Sequence, residues 1–173
     1  MKYTKESLLL KDQWGRTQLH TAARNGKIYM VPAELLNTEN LTVKDTGGYT
    51  PFHEAAINSN LHLIPKKFLT AENLLMKEDS GTSSLIFAAS NGRLRQIPVE
   101  LLTLENLLEV NKHGNTALRW AAVKGDLHAI PVLILGNPLA YRTLQDWTLS
   151  ENKDNAAIVK RAIKIYAISI LTN

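Results

Sequence analysis

The chain has 173 residues, of which 45% are hydrophobic and 21% charged, and these values are ordinary for a globular domain. It contains no cysteine, which excludes disulfide bonds, thiolate nucleophiles and cysteine-ligated zinc. The formal net charge is +4, but basic and acidic residues are interspersed and no like-charge cluster exceeds pairs such as Lys66-Lys67. This distribution favours a mixed, solvated surface over a nucleic-acid-binding patch.

The longest apolar run covers residues 129–135 and is too short to span a bilayer. No secretory signal is recognisable, because Leu8-Leu9-Leu10 is far too short for an apolar signal core. We therefore expect an intracellular, cytoplasmic protein that does not use a membrane.

Two independent markers recur along the chain at a fixed interval of 33 residues. The first is a segment that begins with glycine, ends with paired alanines and starts at Gly15, Gly48, Gly81 and Gly114. The second is an aliphatic residue followed by proline, at Val31-Pro32, Ile64-Pro65, Ile97-Pro98 and Ile130-Pro131. Because both markers keep one unbroken period, the chain is predicted to be built from repeated structural units.

The segment that displays the pattern most fully is Gly48-Tyr49-Thr50-Pro51-Phe52-His53-Glu54-Ala55-Ala56. It resembles the ankyrin repeat, which has the same period and a Thr-Pro-Leu-His-x-Ala signature. The resemblance covers Gly15 to Asp146 and implies an all-α solenoid, an ankyrin-type stack of helix pairs with short finger loops. The ends of the units depart from the family: Leu-Thr-x-Glu-Asn-Leu stands where the family has Gly-Ala-Asp, as in Leu69 to Leu74.

On this basis residues 1–173 are interpreted as one repeat domain. Its predicted parts are a partial repeat tail at residues 1–14, repeats 1 to 4 at residues 15–47, 48–80, 81–113 and 114–146, and a capping helix within residues 147–173. The tail has two possible interpretations. It is either the remainder of a longer repeat array that was truncated at this point, or a short natural cap.

Within each unit, the first helix is predicted to begin after the glycine, at an N-cap hydroxyl residue. The predicted caps are Thr17, Thr50, Ser83 and Thr116. Pro51 then falls at the first helical position, where its missing N–H costs nothing. Asn25-Gly26 is typical of a helix C-terminus, and in repeat 2 the pair Ser59-Asn60 replaces it, with asparagine as the expected left-handed residue.

A second helix is predicted to start at Pro32, Pro65, Pro98 and Pro131, because proline cannot sit deep in a helix. Its buried face would carry Leu35-Leu36, Phe68-Leu69, Leu101-Leu102 and Ile134-Leu135. The following Thr-x-Glu-Asn-Leu segment is predicted to form another helical turn, followed by a finger loop.

Repeat 4 breaks off at Gly136-Asn137-Pro138, and a polar stretch precedes a predicted amphipathic helix from Asn155 to about Leu171. This helix is expected to close the open end of the stack. Its apolar side is wider than a cap requires. This side is expected either to contact the core of the stack or to mediate self-association.

His20 and His53 are interpreted as structural, since the resemblance assigns them to a Thr-x-x-His network with Thr17 and Thr50. A shared metal is disfavoured because equivalent residues of stacked helices lie about 8–10 Å apart, whereas ligands of one zinc must each lie about 2 Å from it. No GxxxxGKS, HExxH, GxSxG or CxxC motif is present. We predict no enzymatic activity, no metal and no cofactor.

Finger loops and first helices line a concave protein-binding face in the family, and these positions vary between the present repeats. Four of them are aromatic, and Trp, Tyr and Arg dominate interface hot spots. Burial is the alternative for Trp14, Phe87 and Trp120, and Tyr49 is the expected exposed contact. The predicted partner-binding residues are Trp14, Arg16, Arg24, Tyr49, Glu54, Ile57, Phe87, Ser90, His113, Trp120 and Lys124.

The predicted function is a non-enzymatic protein–protein interaction scaffold. Two alternatives stay open: a structural segment of a longer ankyrin array, and a basic nucleic-acid-binding module.

Overall fold

The computed structural model describes residues 4–151 and residue 157, and this part of the chain is all-α. It contains no β-strand, only an isolated antiparallel bridge between Lys77 and Ser83. The α-helices are α1 (Lys5–Leu9), α2 (Gln18–Arg24), α3 (Thr38–Leu41), α4 (Pro51–Ile57), α5 (Ala71–Leu74), α6 (Ser84–Ser90), α7 (Leu104–Leu108), α8 (Ala117–Lys124), α9 (Val132–Leu135) and α10 (Pro138–Glu151). The 3-10 helices are Ile28–Met30, Ala33–Leu35, Leu61–Leu63, Lys66–Phe68, Leu94–Gln96, Val99–Leu101 and Leu127–Ala129.

The first helix of each repeat begins where the sequence predicted. Helices α2, α4, α6 and α8 each follow a hydroxyl residue whose backbone is extended, as at an N-cap. In repeat 4 the Thr116 hydroxyl accepts a hydrogen bond from the Arg119 amide at 3.1 Å. Pro51 occupies the first helical position of α4, as expected.

The predicted C-terminal signal of α4 was wrong by one residue. Ser59, not Asn60, adopts the left-handed conformation with φ +61°, and it occupies the position that Gly26 fills with φ +65°. Asn60 has φ −108°, and its side-chain amide donates to the carbonyls of Ala23 and Arg24 at 3.1 and 2.8 Å. Asn60 therefore caps the helix of the preceding repeat instead of ending its own.

The second half of each repeat begins with a 3-10 helix that was not predicted, and the helix predicted to start at each proline is a single short turn. In repeat 1 it consists of the 3-10 helices Ile28–Met30 and Ala33–Leu35, followed by the single α-helical turn of α3. Val31 before the proline and Leu36 after the second 3-10 helix are both extended. Proline has no N–H and disfavours a helical residue before it, so each Pro divides this region into short turns. Of the predicted buried face, Leu36 is half-buried, and its equivalents Leu69, Leu102 and Leu135 are buried.

The Thr-x-Glu-Asn-Leu segment forms the additional helical turn that the sequence predicted, and its asparagine fixes the geometry. Asn73 donates from its backbone amide to the Thr70 hydroxyl at 3.3 Å and from its side chain to the Phe68 carbonyl at 2.8 Å. The side chains of Asn40 and Asn106 donate in the same way to the carbonyls of Leu35 and Leu101 at 2.9 and 2.8 Å. One side chain thus ties the α-helical turn to the 3-10 helix before it.

The long helices pack in chain order, with α1 on α2, α2 on α4, α4 on α6, α6 on α8 and α8 on α10. The paired alanines of each repeat, such as Ala55 and Ala56, are fully buried in these contacts. Their small side chains allow the helix backbones to approach closely. Leucines and isoleucines of the second halves extend the same core along the stack.

Helix α10 was not predicted, and it crosses the boundary proposed between residues 146 and 147. Ala140 and Leu144 bury one side of it against the core. The start signal is present in the sequence, because Pro138 is the first helical residue and Asn137 accepts a hydrogen bond from the Leu139 amide at 2.9 Å. Of the helix predicted from Asn155 to Leu171, the structure describes only Ala157, which is helical. The remainder, and any self-association through it, lie outside the described residues.

Among the described residues, none of the helices combines the length and apolarity needed to cross a bilayer.

A pair of substitutions tests the left-handed helix ends. We expect Ser59→Gly to raise the free energy of unfolding by about 0.5 kcal/mol, because it removes the cost of a left-handed side-chain-bearing residue. We expect Gly26→Ala to lower it by at least about 1 kcal/mol. An added Cβ at Gly26 would also lie 3.1 Å from both Asn60 Oδ1 and Leu63 Cδ1. Urea unfolding followed by circular dichroism measures both changes, and destabilisation by Ser59→Gly would contradict the assignment.

Candidate protein-interaction face

A tight turn precedes the first helix of each repeat, and we call these four segments the finger turns: residues 12–16, 45–49, 78–82 and 111–115. In the second, the Asp45 amide donates to the Tyr49 carbonyl at 2.8 Å and the Gly48 amide donates to the Asp45 carbonyl at 3.1 Å. Gly48 has φ +78°, and a Cβ added there would lie 2.8 Å from Asp79 Oδ1 in the next finger turn. Glycine is therefore required both for the turn and for the close approach of its neighbour.

A side-chain acceptor at the first position closes each finger turn. Asp45 Oδ1 accepts from the amides of Gly47 and Tyr49, each at 2.9 Å. Asp12, Glu78 and Asn111 accept in the same way from the amides two and four residues further along. The sequence interpretation missed this role, although an acidic residue or asparagine stands three residues before every repeat glycine.

The finger turns are joined to one another by backbone hydrogen bonds that keep the repeat spacing. The Thr46 amide donates to the Trp14 carbonyl at 3.0 Å, and the Asp79 amide donates to the Gly47 carbonyl at 3.1 Å. The Lys112 amide completes the series by donating to the Ser80 carbonyl at 3.0 Å. These bonds hold the finger turns in one row.

A line of lysines runs beside this row. Lys11 Nζ donates to the carbonyl of Lys44 at 3.3 Å, and Lys44 Nζ donates to the carbonyl of Lys77 at 2.9 Å. Lys77 Nζ contacts Glu109 Oε2 at 2.8 Å and the Val110 carbonyl at 3.3 Å. These ammonium groups therefore connect successive repeats.

The two histidines of the repeated motif have the structural role that the sequence predicted. The Thr50 amide donates to His53 Nδ1 at 3.0 Å, and His53 Nε2 lies 2.9 Å from the Met76 carbonyl. His20 Nδ1 accepts in the same way from the Thr17 amide at 3.1 Å, but its Nε2 lies 3.0 Å from the carbonyl of Tyr49 in the next repeat. Because a carbonyl only accepts, Nε2 carries the proton and Nδ1 is the acceptor in both rings.

Burial lowers the pKa of His53 from its ordinary value to about 4, and it also lowers the pKa of His20. Both imidazoles are therefore neutral at physiological pH, and the neutral form is the one that the hydrogen bonds require. Their two nitrogens are occupied within the framework, which leaves no lone pair for a metal or a substrate proton.

Two predicted contact residues, Tyr49 and Phe87, lie against the buried ring of His53. Their ring centroids are 5.8 and 5.9 Å from that of His53, and both contacts are edge-to-face. Tyr49 is half-buried instead of exposed as expected. Burial, followed by the nearby carboxylates Glu78 and Asp45, raises the pKa of its phenol above the ordinary value. The hydroxyl thus stays protonated at neutral pH and is available to donate.

An open groove of about 480 Å³ lies between the first helices and finger turns of repeats 1 and 2. Five predicted contact residues line it, together with two polar residues that were not predicted. We call it the arginine groove, and it is lined by Arg16, Arg24, Asp45, Tyr49, Glu54, Ile57 and Asn58.

Each arginine of the groove faces a carboxylate, which belongs to the second finger turn for Arg16 and to α4 for Arg24. Arg24 Nε and Nη2 donate to Glu54 Oε2 and Oε1, both at 2.9 Å. Arg16 Nε lies 3.6 Å from Asp45 Oδ2, which is ion-pair distance but too long for a hydrogen bond. Glu54 was predicted to contact a partner directly, yet it is buried and both its oxygens are engaged by Arg24. Its observed role is to hold Arg24 in place.

The remaining predicted residues lie outside the arginine groove. Trp14 is 52% exposed, so it is not buried beside the N-terminal tail. Phe87 and Trp120 are half-buried, and the Ser90 hydroxyl donates to the Phe87 carbonyl at 2.9 Å. His113 and Lys124 are exposed.

No family model matches the chain, and no curated protein matches it.

The neutral state of His53 predicts a pH dependence of stability. In the unfolded chain His53 binds a proton below about pH 6.5, whereas in the folded chain it does so only near pH 4, so acid favours unfolding over this window. The free energy of unfolding of the wild type should fall between pH 7 and pH 4 by on the order of 3 kcal/mol more than that of His53→Gln.

Urea titrations at a series of pH values measure how steeply the free energy of unfolding of each protein changes with pH. His20 is present in both proteins and contributes equally to both curves. His62→Gln is the matched control, because His62 is exposed. Its curve should run parallel to the wild type, whereas parallel curves for the wild type and His53→Gln would show that His53 is not held neutral by burial.

Proposed function

We propose that the chain is a non-enzymatic ankyrin-type solenoid that binds a protein partner through its finger turns and first helices. Three features support the fold: the 33-residue period of the sequence, the packing of first helices in chain order, and the row of finger turns. In such stacks each unit buries its apolar side on its neighbours and leaves an elongated surface free.

The arginine groove is the single observation that best supports a binding role. It collects arginine, tyrosine and isoleucine side chains from two repeats at positions that the repeat pattern does not constrain. Tyrosine and arginine are among the usual hot spots of protein interfaces. Because neighbouring finger turns and helices hold them in place, little conformational entropy is lost when a partner binds.

The chemistry of the same region gives no support to catalysis. The two motif histidines are buried, neutral and hydrogen-bonded at both ring nitrogens. Each carboxylate of the groove faces an arginine. A general base or nucleophile needs an unengaged group within reach of a substrate, and these side chains are all engaged. The cysteine-free composition is compatible with an intracellular partner.

Site-specific photo-crosslinking tests this proposal. A photoreactive amino acid at Ile57, on the arginine groove, should cross-link a defined protein in a native extract. The control is the same amino acid at Val99, in the second half of repeat 3. Val99 is 61% exposed against 37% for Ile57, so random collisions would favour Val99. Cross-linking that is equal at both sites, or confined to Val99, would refute the proposed face.

A further inference from the structure

We infer that the arginine groove anchors an acidic segment of the partner protein, with a carboxylate side chain on the two arginines and an apolar neighbour beside it. This inference rests on the proposed protein-binding function and specifies the chemistry of the partner.

The first observation is the uneven exposure of the charges. The side chains of Arg16 and Arg24 are 31% and 44% exposed, whereas those of Asp45 and Glu54 are each only 6% exposed. The four formal charges cancel, but an approaching molecule meets the guanidinium groups and not the carboxylates. The charged groups that a ligand can reach in the groove are therefore the two guanidinium groups, and these complement an anionic group.

The second observation is that both arginines are held in position before a ligand arrives. The fork from Arg24 to Glu54 uses Nε and Nη2, so Nη1 remains for a ligand. The Arg16 guanidinium lies 5.4 Å from the centre of the Trp14 ring. Its Nε is buried and has no hydrogen-bond partner among the described residues, so a ligand would have to be bound by the terminal nitrogens of this side chain, which is 31% exposed. A carboxylate accepts hydrogen bonds from two guanidinium donors in one plane, which makes it the matching ligand for such groups.

The third observation is the apolar surface that also lines the groove. Tyr49 presents a half-buried ring, and Ile57 is 37% exposed beside the polar Asn58. An acidic residue alone would leave this surface in water. A segment with an aliphatic or aromatic residue next to the carboxylate buries it and gains the additional apolar contact.

A nucleic acid is the other polyanion to consider, and the groove fits it less well. Phosphate-backbone binding depends on several unpaired cations spread along a strand. Here each of the two exposed arginines is paired with a buried carboxylate and Lys77 is paired with Glu109, while Lys11 and Lys44 donate to carbonyls of neighbouring repeats. The groove is accordingly assigned to a peptide.

The test begins with a random dodecapeptide library displayed on phage, selected against the wild type and against the double variant Arg24→Gln/Glu54→Gln. The double variant removes the exposed charge together with its buried partner, so no carboxylate is left unpaired in the core. Selection on the wild type should enrich peptides with Asp or Glu next to an apolar residue, and the double variant should lose this enrichment. Enriched peptides that are neutral or basic, or no enrichment at all, would overturn the inference.

Fluorescence anisotropy then measures the affinity of the most enriched acidic peptide and of its Gln-substituted counterpart. Replacing the acidic residues, or using the double variant, should each raise Kd at least about tenfold, and high salt should weaken binding. Arg95→Gln is the control, because Arg95 is an exposed arginine in the second half of repeat 3, and it should change Kd less than about twofold.

Two further results would overturn the inference without touching the proposed function. The first is an acidic peptide whose Kd is the same for the wild type and the double variant. The second is a single-stranded DNA dodecamer that displaces the peptide at equal concentration. The cross-link at Ile57 separately decides whether the face binds a protein, so failure of the acidic specificity and failure of the binding role are distinguishable.

Discussion

Hydrogen bonds within and between the finger turns set the spacing of the stacked units. Each turn is closed by an aspartate, glutamate or asparagine that accepts from two amides, and each is tied to the next by one backbone hydrogen bond. These contacts fix the spacing and orientation of consecutive first helices. The buried histidines extend the same scheme, because His20 reaches the carbonyl of Tyr49 in the next finger turn. The position of every side chain in the arginine groove follows from this framework.

Within a repeat, some positions are fixed by folding and others are free to vary, and this explains how one framework can support recognition. Glycine, cap, alanine and asparagine positions satisfy backbone groups or allow close packing, and they leave little room for substitution. The positions occupied by Arg16 and Tyr49, or by Arg24 and Ile57, are equivalent in adjacent repeats but carry different side chains. Their differences make the groove chemically asymmetric, and an asymmetric groove of this kind can select one partner chemistry from others.

The periodic sequence predicted the first helices and their caps, because N-cap hydroxyls and Pro51 act locally. It also predicted the roles of His20 and His53 through a recognisable motif. In the second half, the helix predicted to start at Pro32 is only a single 3-10 turn, and the 3-10 turn before the proline was not predicted. The left-handed end of α4 was assigned to Asn60 instead of Ser59. The Arg24–Glu54 pair was beyond sequence reasoning, since it joins residues 30 positions apart whose proximity depends on the stacking of two helices. Helix α10 was missed although Asn137 and Pro138 signal its start.

Removal of one whole repeat is the most direct test of a modular stack with a local binding groove. A variant without residues 81–113 should unfold cooperatively in urea, with a smaller m-value because less surface is exposed on unfolding, and it should bind the acidic peptide as the full chain does. Removal of residues 81–97, which breaks the register, should abolish the cooperative transition. If the variant without residues 81–113 shows no cooperative transition, the chain is not a modular stack. If this variant folds but no longer binds the acidic peptide, the groove is not a local site.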